Sequence, residues 1–333
     1  MEGLTVWTDA RWRASFAAWI DAALRAAGER RIAEPDEVHR RPWSVVWRLE
    51  TDGGVRFAKA GASNQGHEPG LVALLSRLDP TVVEPPLAVD VDRGWLLLAD
   101  GGGRLRDVED VDALVASLVE LLPRYARLQR ASAAHVQELV TLGVPDHRPA
   151  ALVAALRRLL RRRDLLVGDF EDALEPAAID ELGSLLPRIG AALARLHDGP
   201  IPAGIEHNDL HDGNIFAAGA GRVFDWGDAV IGHPCFSIAI LTNSIADRFG
   251  LPADAAALRR LRAAYAEAWS DLAPLDDVER LTGDAISLGS ASRAVSWGGV
   301  LAIIPADEME PWRAGAAAWL GELLGVAREL PDA

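Results

Sequence analysis

His207-Asn208-Asp209-Leu210-His211-Asp212-Gly213-Asn214 is the most informative stretch of this 333-residue sequence. Its spacing, H-x-D-x-x-x-x-N, suits a loop with two tasks. Asp209 faces an incoming hydroxyl, orients it and accepts its proton as an O–P bond forms. Asn214, five residues on, turns back to hold Mg²⁺ on phosphates, and Gly213 beside it allows the reversal. Beyond the loop, Ile215-Phe216 and Arg222-Val223-Phe224 are separated by the small-residue turn Ala217–Gly221. That pattern predicts a β-hairpin which returns Asp225, in Asp225-Trp226-Gly227, to the side of Asn214. A carboxylate and a carboxamide converging there are hard oxygen ligands, suited to Mg²⁺ retained by substrate phosphates.

The first hundred residues have strand character. Ser44–Thr51 alternates Val45, Trp47 and Leu49 against Arg48 and Glu50, and Asp52-Gly53 is a hairpin signal. Val55–Lys59 follows, with Phe57 and Lys59 on one face. A strand lysine directed into a cleft can neutralise the α- and β-phosphates of a nucleotide. Glu68 opens the next helix (Leu71, Leu74, Leu75, Leu78, with Pro69 in its first turn) and is close enough in sequence to pair with Lys59. The plainer reading of Glu68 is a first-turn acid complementing the helix dipole. Strands are also expected at Leu87–Val91 and Trp95–Ala99, and a leading helix at Trp7–Ala27. Trp95–Ala99 running into Gly101-Gly102-Gly103 reads as a connector whose backbone can meet an adenine, with Leu98 and Asp100 as candidate nucleotide contacts.

After the triple glycine, helices are expected near 110–130, 150–163, 178–197, 255–271 and 311–329. The fold class is therefore α+β in two lobes with a cleft between them. The N-lobe, 1–100, is β-rich and nucleotide-binding; the C-lobe, 101–333, is mostly helical and carries the catalytic loop and acceptor site. A formal net charge of −15 argues against nucleic acid as a partner. The single cysteine, Cys235, cannot form an internal disulfide, and a reducing cytoplasm fits. No run of eighteen apolar residues predicts a membrane span. The N-terminal MEGLTVWTDARWR lacks the apolar core of a signal peptide. Arg157–Arg163 reads as a solvated helix face. The negative charge, with the cluster Asp307-Glu308-Glu310, favours a cationic acceptor.

The order Lys59, Glu68, hinge 97–102, Leu196-His197, His207–Asn214 and Asp225-Trp226-Gly227 running into Gly232-His233-Pro234 resembles the aminoglycoside phosphotransferase and choline kinase superfamily, which has a protein-kinase-like fold. The resemblance covers most of 40–240. It implies ATP and Mg²⁺ as cofactors, a small-molecule hydroxyl as acceptor and Asp209 as base. It further implies Asn214 and Asp225 as metal ligands, Lys59 with Glu68 on the phosphates, His207 bracing the loop and His211 on the substrate side. Three departures stand out. The expected nucleotide loop, His39–Ser44, has no glycine, which leaves Ser44 as its candidate contact. Ser237 stands where relatives commonly carry an aspartate, and would brace the loop more weakly. His233 occupies a position that is often acidic. A protein-kinase reading fares poorly, because the few residues between Asp225 and Gly232 leave no room for an activation loop and no A-P-E follows. The alternatives are a kinase of sugars or other neutral metabolites, and a nucleotide-binding module that regulates a partner.

Overall fold

The structure, a computed structural model, describes residues 3–332; Met1, Glu2 and Ala333, the ends of the two expected lobes, lie outside it. Five antiparallel strands form the first sheet: β1 (Asp36–Arg41), β2 (Ser44–Thr51), β3 (Gly54–Gly61), β4 (Ala88–Asp90) and β5 (Trp95–Ala99), in the order β1-β2-β3-β5-β4. The Asp52-Gly53 turn joins β2 to β3 as its sequence predicts, with Thr51 opposite Gly54. One expectation is corrected here. His39–Arg41 is not loop but the end of β1, with Arg41 opposite Ser44, so the turn shrinks to Pro42-Trp43. β1 reads DEVHRR, and charge on an edge strand hides the alternation that would have revealed it.

The leading helix is two helices, α1 (Leu4–Thr8) and α2 (Ala10–Ala26). Asp9 separates them because its carboxylate accepts from the Arg11 and Trp12 amides and caps α2. Phe16, Ile20 and Leu24 of α2 then pack on Trp47, Leu49, Trp95 and Leu97 of the sheet, closing a first core. Helix α3 (Glu68–Leu78), with proline in its first turn, joins β3 to β4 and packs with the helical remainder.

That remainder comprises α4 (Val111–Ser132), α5 (Val136–Thr141), α6 (Pro149–Leu160), α7 (Arg163–Leu166), α8 (Pro176–His197), α9 (Phe236–Phe249), α10 (Ala256–Glu267), α11 (Leu275–Ile303) and α12 (Ala314–Glu329). Between α8 and α9 lie β6 (Gly204–Glu206), the hairpin β7 (Ile215–Phe216) with β8 (Arg222–Val223), and β9 (Val230–Gly232), which pairs with β6. The two-lobed α+β arrangement is thus present. Four helices were not foreseen, the short α5 and α7, then α9 and the 29-residue α11. Among the described residues no helix is long and apolar enough to cross a membrane.

Candidate active site

Lys59 occupies the middle of β3, hydrogen-bonded between β2 and β5, so its backbone has little freedom. Its ammonium nitrogen lies 2.6 Å from Glu68 Oε2 and 2.6 Å from Asp225 Oδ1. Burial opposes charge on Lys59, but the Asp225 and Glu68 carboxylates outweigh it and keep the ammonium protonated. Glu68 Oε1 accepts from the Trp226 amide at 3.0 Å, which ties α3 to the segment carrying Asp225. Asp225 has a left-handed backbone, φ 63°, an uncommon state for a non-glycine residue. Three groups from three parts of the chain meet here.

The hairpin β7–β8 performs the return that its sequence predicts. Ile215 pairs with Val223, and the Phe224 amide donates to the Asn214 carbonyl at 3.0 Å, so Asp225 emerges beside Asn214. Asn214 Nδ2 donates to the Asp209 carbonyl at 3.0 Å and to Asp209 Oδ2 at 3.2 Å. Its Oδ1, and Oδ2 of Asp225, have no partner among the described residues. Two hard oxygens are therefore left over, one of them on a half-exposed carboxylate. This donor set fits Mg²⁺ on a nucleotide, which needs only one or two protein oxygens when phosphates supply others.

Asp209 is held from several sides. Burial works against its charge, yet Arg293, whose Nη2 is 3.0 Å from Asp209 Oδ1, and then His211 keep the carboxyl well below the usual range. His207 braces the loop by two bonds. Its Nε2 lies 3.0 Å from the Phe224 carbonyl, and its Nδ1 accepts from the Asp209 amide at 3.3 Å. Burial lowers the His207 pKa to about 4, so the ring is neutral at neutral pH. His211 Nδ1 accepts from the Gly213 amide at 3.0 Å, with Arg106 beside it. A cavity of about 150 Å³ is lined by Asp209, Asp225, Asp228, Arg293, Trp43 and Trp297, among others.

Other expected residues sit elsewhere. Ser44 is buried between Arg41 and Gly61, and its neighbour Trp43 reaches the cavity instead. Leu98 pairs with Phe57 in the sheet, and Asp100 accepts from the Gly102 amide at 2.9 Å, shaping the connector. Gly101 is required there, since a Cβ would lie 2.3 Å from the Phe216 ring. In the acidic cluster, Glu308 accepts from the Leu4 amide at 2.7 Å and so caps α1.

Sequence reasoning missed Gln65, Asp228, Arg293, Trp297 and Glu206. Asp228 was visible three residues past Asp225, and Arg293 as a lone charge among the small residues of Ser290–Gly299. Glu206, the last residue of β6, is fully buried. Its Oε1 accepts from the Asn208 amide at 2.6 Å and from Ser237 Oγ at 2.8 Å, while Tyr125 meets the same Ser237 oxygen at 2.7 Å. Ser237 therefore reaches the loop through a carboxyl that comes from the strand rather than from α9. Burial pushes Glu206 up to about 7 from an ordinary 4.5. The folded state thus binds this proton more tightly than the unfolded chain, so its contribution is full below about pH 4.5 and is lost as pH rises to about 7. The loss amounts to about 3 kcal/mol. Glu206→Gln should remove that slope in urea unfolding between pH 5 and 8; an unchanged slope would exonerate Glu206.

No curated protein matches the chain in sequence. Among solved structures, a Plasmodium vivax ethanolamine kinase superposes with a TM-score of 0.59 at 11% identity, covering 88% of this chain and 81% of its own. The aminoglycoside phosphotransferase APH(4)-Ia gives 0.56 at 11% identity, over 95% and 98% of the two chains. An amicoumacin kinase in complex with AMP-PNP, Ca²⁺ and Ami gives 0.55 at 15% identity, over 93% and 92%. At such identities these likenesses speak for the fold, which is that of protein-kinase-like small-molecule kinases. The phosphotransferase enzyme family model matches residues 23–275, and with most of its length inside that match the chain belongs to this family and is a small-molecule kinase.

Proposed function

We propose that the protein transfers the γ-phosphoryl group of ATP, with Mg²⁺, to a hydroxyl of a small amino-bearing molecule. The observation that carries this reading is the convergence of Lys59, Glu68 and Asp225 beside Asn214 and Asp209. Residues 1–100 would hold the nucleotide, and 101–333 the acceptor. Lys59, fixed by Glu68, binds phosphate oxygens, and Asn214 and Asp225 are the metal ligands. When bound, the cation neutralises phosphate charge. Asp209 orients the acceptor hydroxyl and takes its proton as the new O–P bond forms and the bond to the leaving ADP oxygen breaks. The rest of catalysis is positioning.

The acceptor would enter a cleft of about 680 Å³ between α9 and α12, beside the catalytic loop, lined by Arg106, Asn243, Asp247, Arg248 and Trp319, among others. Arg106 and Arg248 are both committed to the buried Asp212, with Arg106 Nη2 3.0 Å away. Asp247 and Glu322 have no cation partner among the described residues, and burial followed by the Asp247 charge pushes the Glu322 carboxyl up. They offer negative charge to an ammonium in the place of the Asp307-Glu308-Glu310 cluster. Ethanolamine and the aminoglycosides, named for the relatives, are the amino alcohols to try first.

The deciding experiment is ATP consumption against hydroxylated amines, aminoglycosides, sugars and nucleosides, with each product checked by its added phosphate mass. For an amino acceptor, Asp247→Asn should raise KM about three- to tenfold at low salt with kcat little changed. A neutral sugar as best substrate, indifferent to Asp247→Asn, would overturn the amino-acceptor part of the reading. ATP consumption with no acceptor in any class would overturn the rest.

A further inference from the structure

Arg293 lies on α11, far along the chain from the catalytic loop, yet its guanidinium is buried within it. Nη2 stands 3.0 Å from Asp209 Oδ1, and Nη1 stands 3.0 Å from Asp228 Oδ2 and donates to the Asn208 carbonyl at 2.6 Å. The same stretch of helix holds the Asn208 side chain. Ser292 Oγ donates to its Oδ1 at 3.0 Å, and its Nδ2 donates to Ser296 Oγ at 2.7 Å. Asn208 has φ 62°, a conformation that a non-glycine residue keeps only where its surroundings over-determine it. Every polar group of the residue preceding Asp209 is thus taken, three by α11 and the amide by Glu206.

Neutral groups already join α11 to the loop, so an arginine is not needed merely to tie the two together. Burying its charge is costly, which calls for a return the serines do not supply. Asp209, Asp225 and Asp228 line one cavity, and among the described residues the permanent cations paired with them are Lys59 and Arg293. Take Arg293 away and three carboxylates face one cation where an anionic phosphoryl group must arrive. The planar fork of arginine can also hold two carboxylates at a fixed separation, which a lysine ammonium cannot. Its Nε is buried with no partner among the described residues, so one donor remains uncommitted. The Trp297 and Trp319 rings lie 6.0 and 5.9 Å from the guanidinium carbon and shield it from water.

We propose that Arg293 is a positioning residue for phosphoryl transfer: it sets the orientation of the Asp209 carboxylate and supplies the positive charge that lets the phosphoryl group approach. This rests on Asp209 acting on the acceptor hydroxyl. Three variants test it, Arg293→Lys, Arg293→Gln and Arg293→Ala. Arg293→Gln should lower kcat about 100-fold with the KM for ATP within about threefold. Arg293→Lys, which keeps the charge and loses the fork, should recover about tenfold of that loss. Added guanidinium should restore part of kcat to Arg293→Ala and nothing to the wild type. In nucleotide-free protein, amide hydrogen exchange over 208–214 should stay near wild type in Arg293→Lys, which separates catalysis from folding if the other two fold poorly. Wild-type kcat in Arg293→Lys or Arg293→Gln would overturn the proposal. So would a loss that follows deprotection of 208–214 in every variant and is indifferent to guanidinium. Asp209→Asn is the control. Its inactivity beside fully active Arg293 variants sinks this inference alone, whereas its activity sinks the assignment of Asp209.

Discussion

Asp209→Asn is expected to lower kcat by about 10²- to 10⁴-fold while leaving ATP·Mg²⁺ affinity nearly intact. The carboxylate is bound to Arg293, Asn214 and His211; of these only Asn214 would reach the nucleotide, through the metal, and its Nδ2 can still donate to the residue-209 carbonyl and to an amide oxygen in the variant. An asparagine keeps the shape but cannot accept the hydroxyl proton. Calorimetric titration with AMP-PNP·Mg²⁺ reads the affinity, and turnover with the acceptor found in the screen reads kcat. Near-normal kcat in this variant would show that proton transfer runs elsewhere. Equal losses in affinity and kcat would show that Asp209 belongs to the metal site.

The opposite pattern is expected for the lysine cluster. Lys59→Ala leaves Glu68 and Asp225, now without their cation, facing each other at the proposed phosphate site. Breaking a buried ion pair by removing one partner costs about 3–5 kcal/mol. A large fall in Tm should therefore accompany a loss of nucleotide affinity of at least about 100-fold. Asp225→Ala should abolish the dependence of nucleotide affinity on Mg²⁺ and spare folding more, since its side chain is half exposed. Glu68→Ala should act in the direction of Lys59→Ala through a misplaced ammonium and a Trp226 amide left without its acceptor. In a double-mutant cycle Lys59→Ala and Glu68→Ala should be strongly non-additive, because they dismantle one unit. Additivity would mean that the 2.6 Å contact does no work for the nucleotide.

What the sequence determined by itself was whatever local spacing can encode. The β2–β3 hairpin was legible because alternation and Asp52-Gly53 are short-range signals, and the Asn214-to-Asp225 return because two short runs flank a small-residue turn. Lys59 and Glu68 were legible through their order with the later motif. Tertiary structure alone decided the rest, for reasons of distance and of pattern. Helix α11 carries Gly283, Gly289, Gly298 and Gly299 among serines and alanines, and it is packed on several sides, so no single apolar stripe marks it. Its Arg293 could be joined to Asp209 only by the packing of α11 against α9 and the loop. Glu206 carries no local signal, and only its complete burial, with Ser237 on one side and Asn208 on the other, makes it a brace whose carboxyl keeps its proton well above the ordinary carboxylate range. Periodicity within one segment cannot report such contacts, because each is made by two segments whose meeting is fixed by the cores they share.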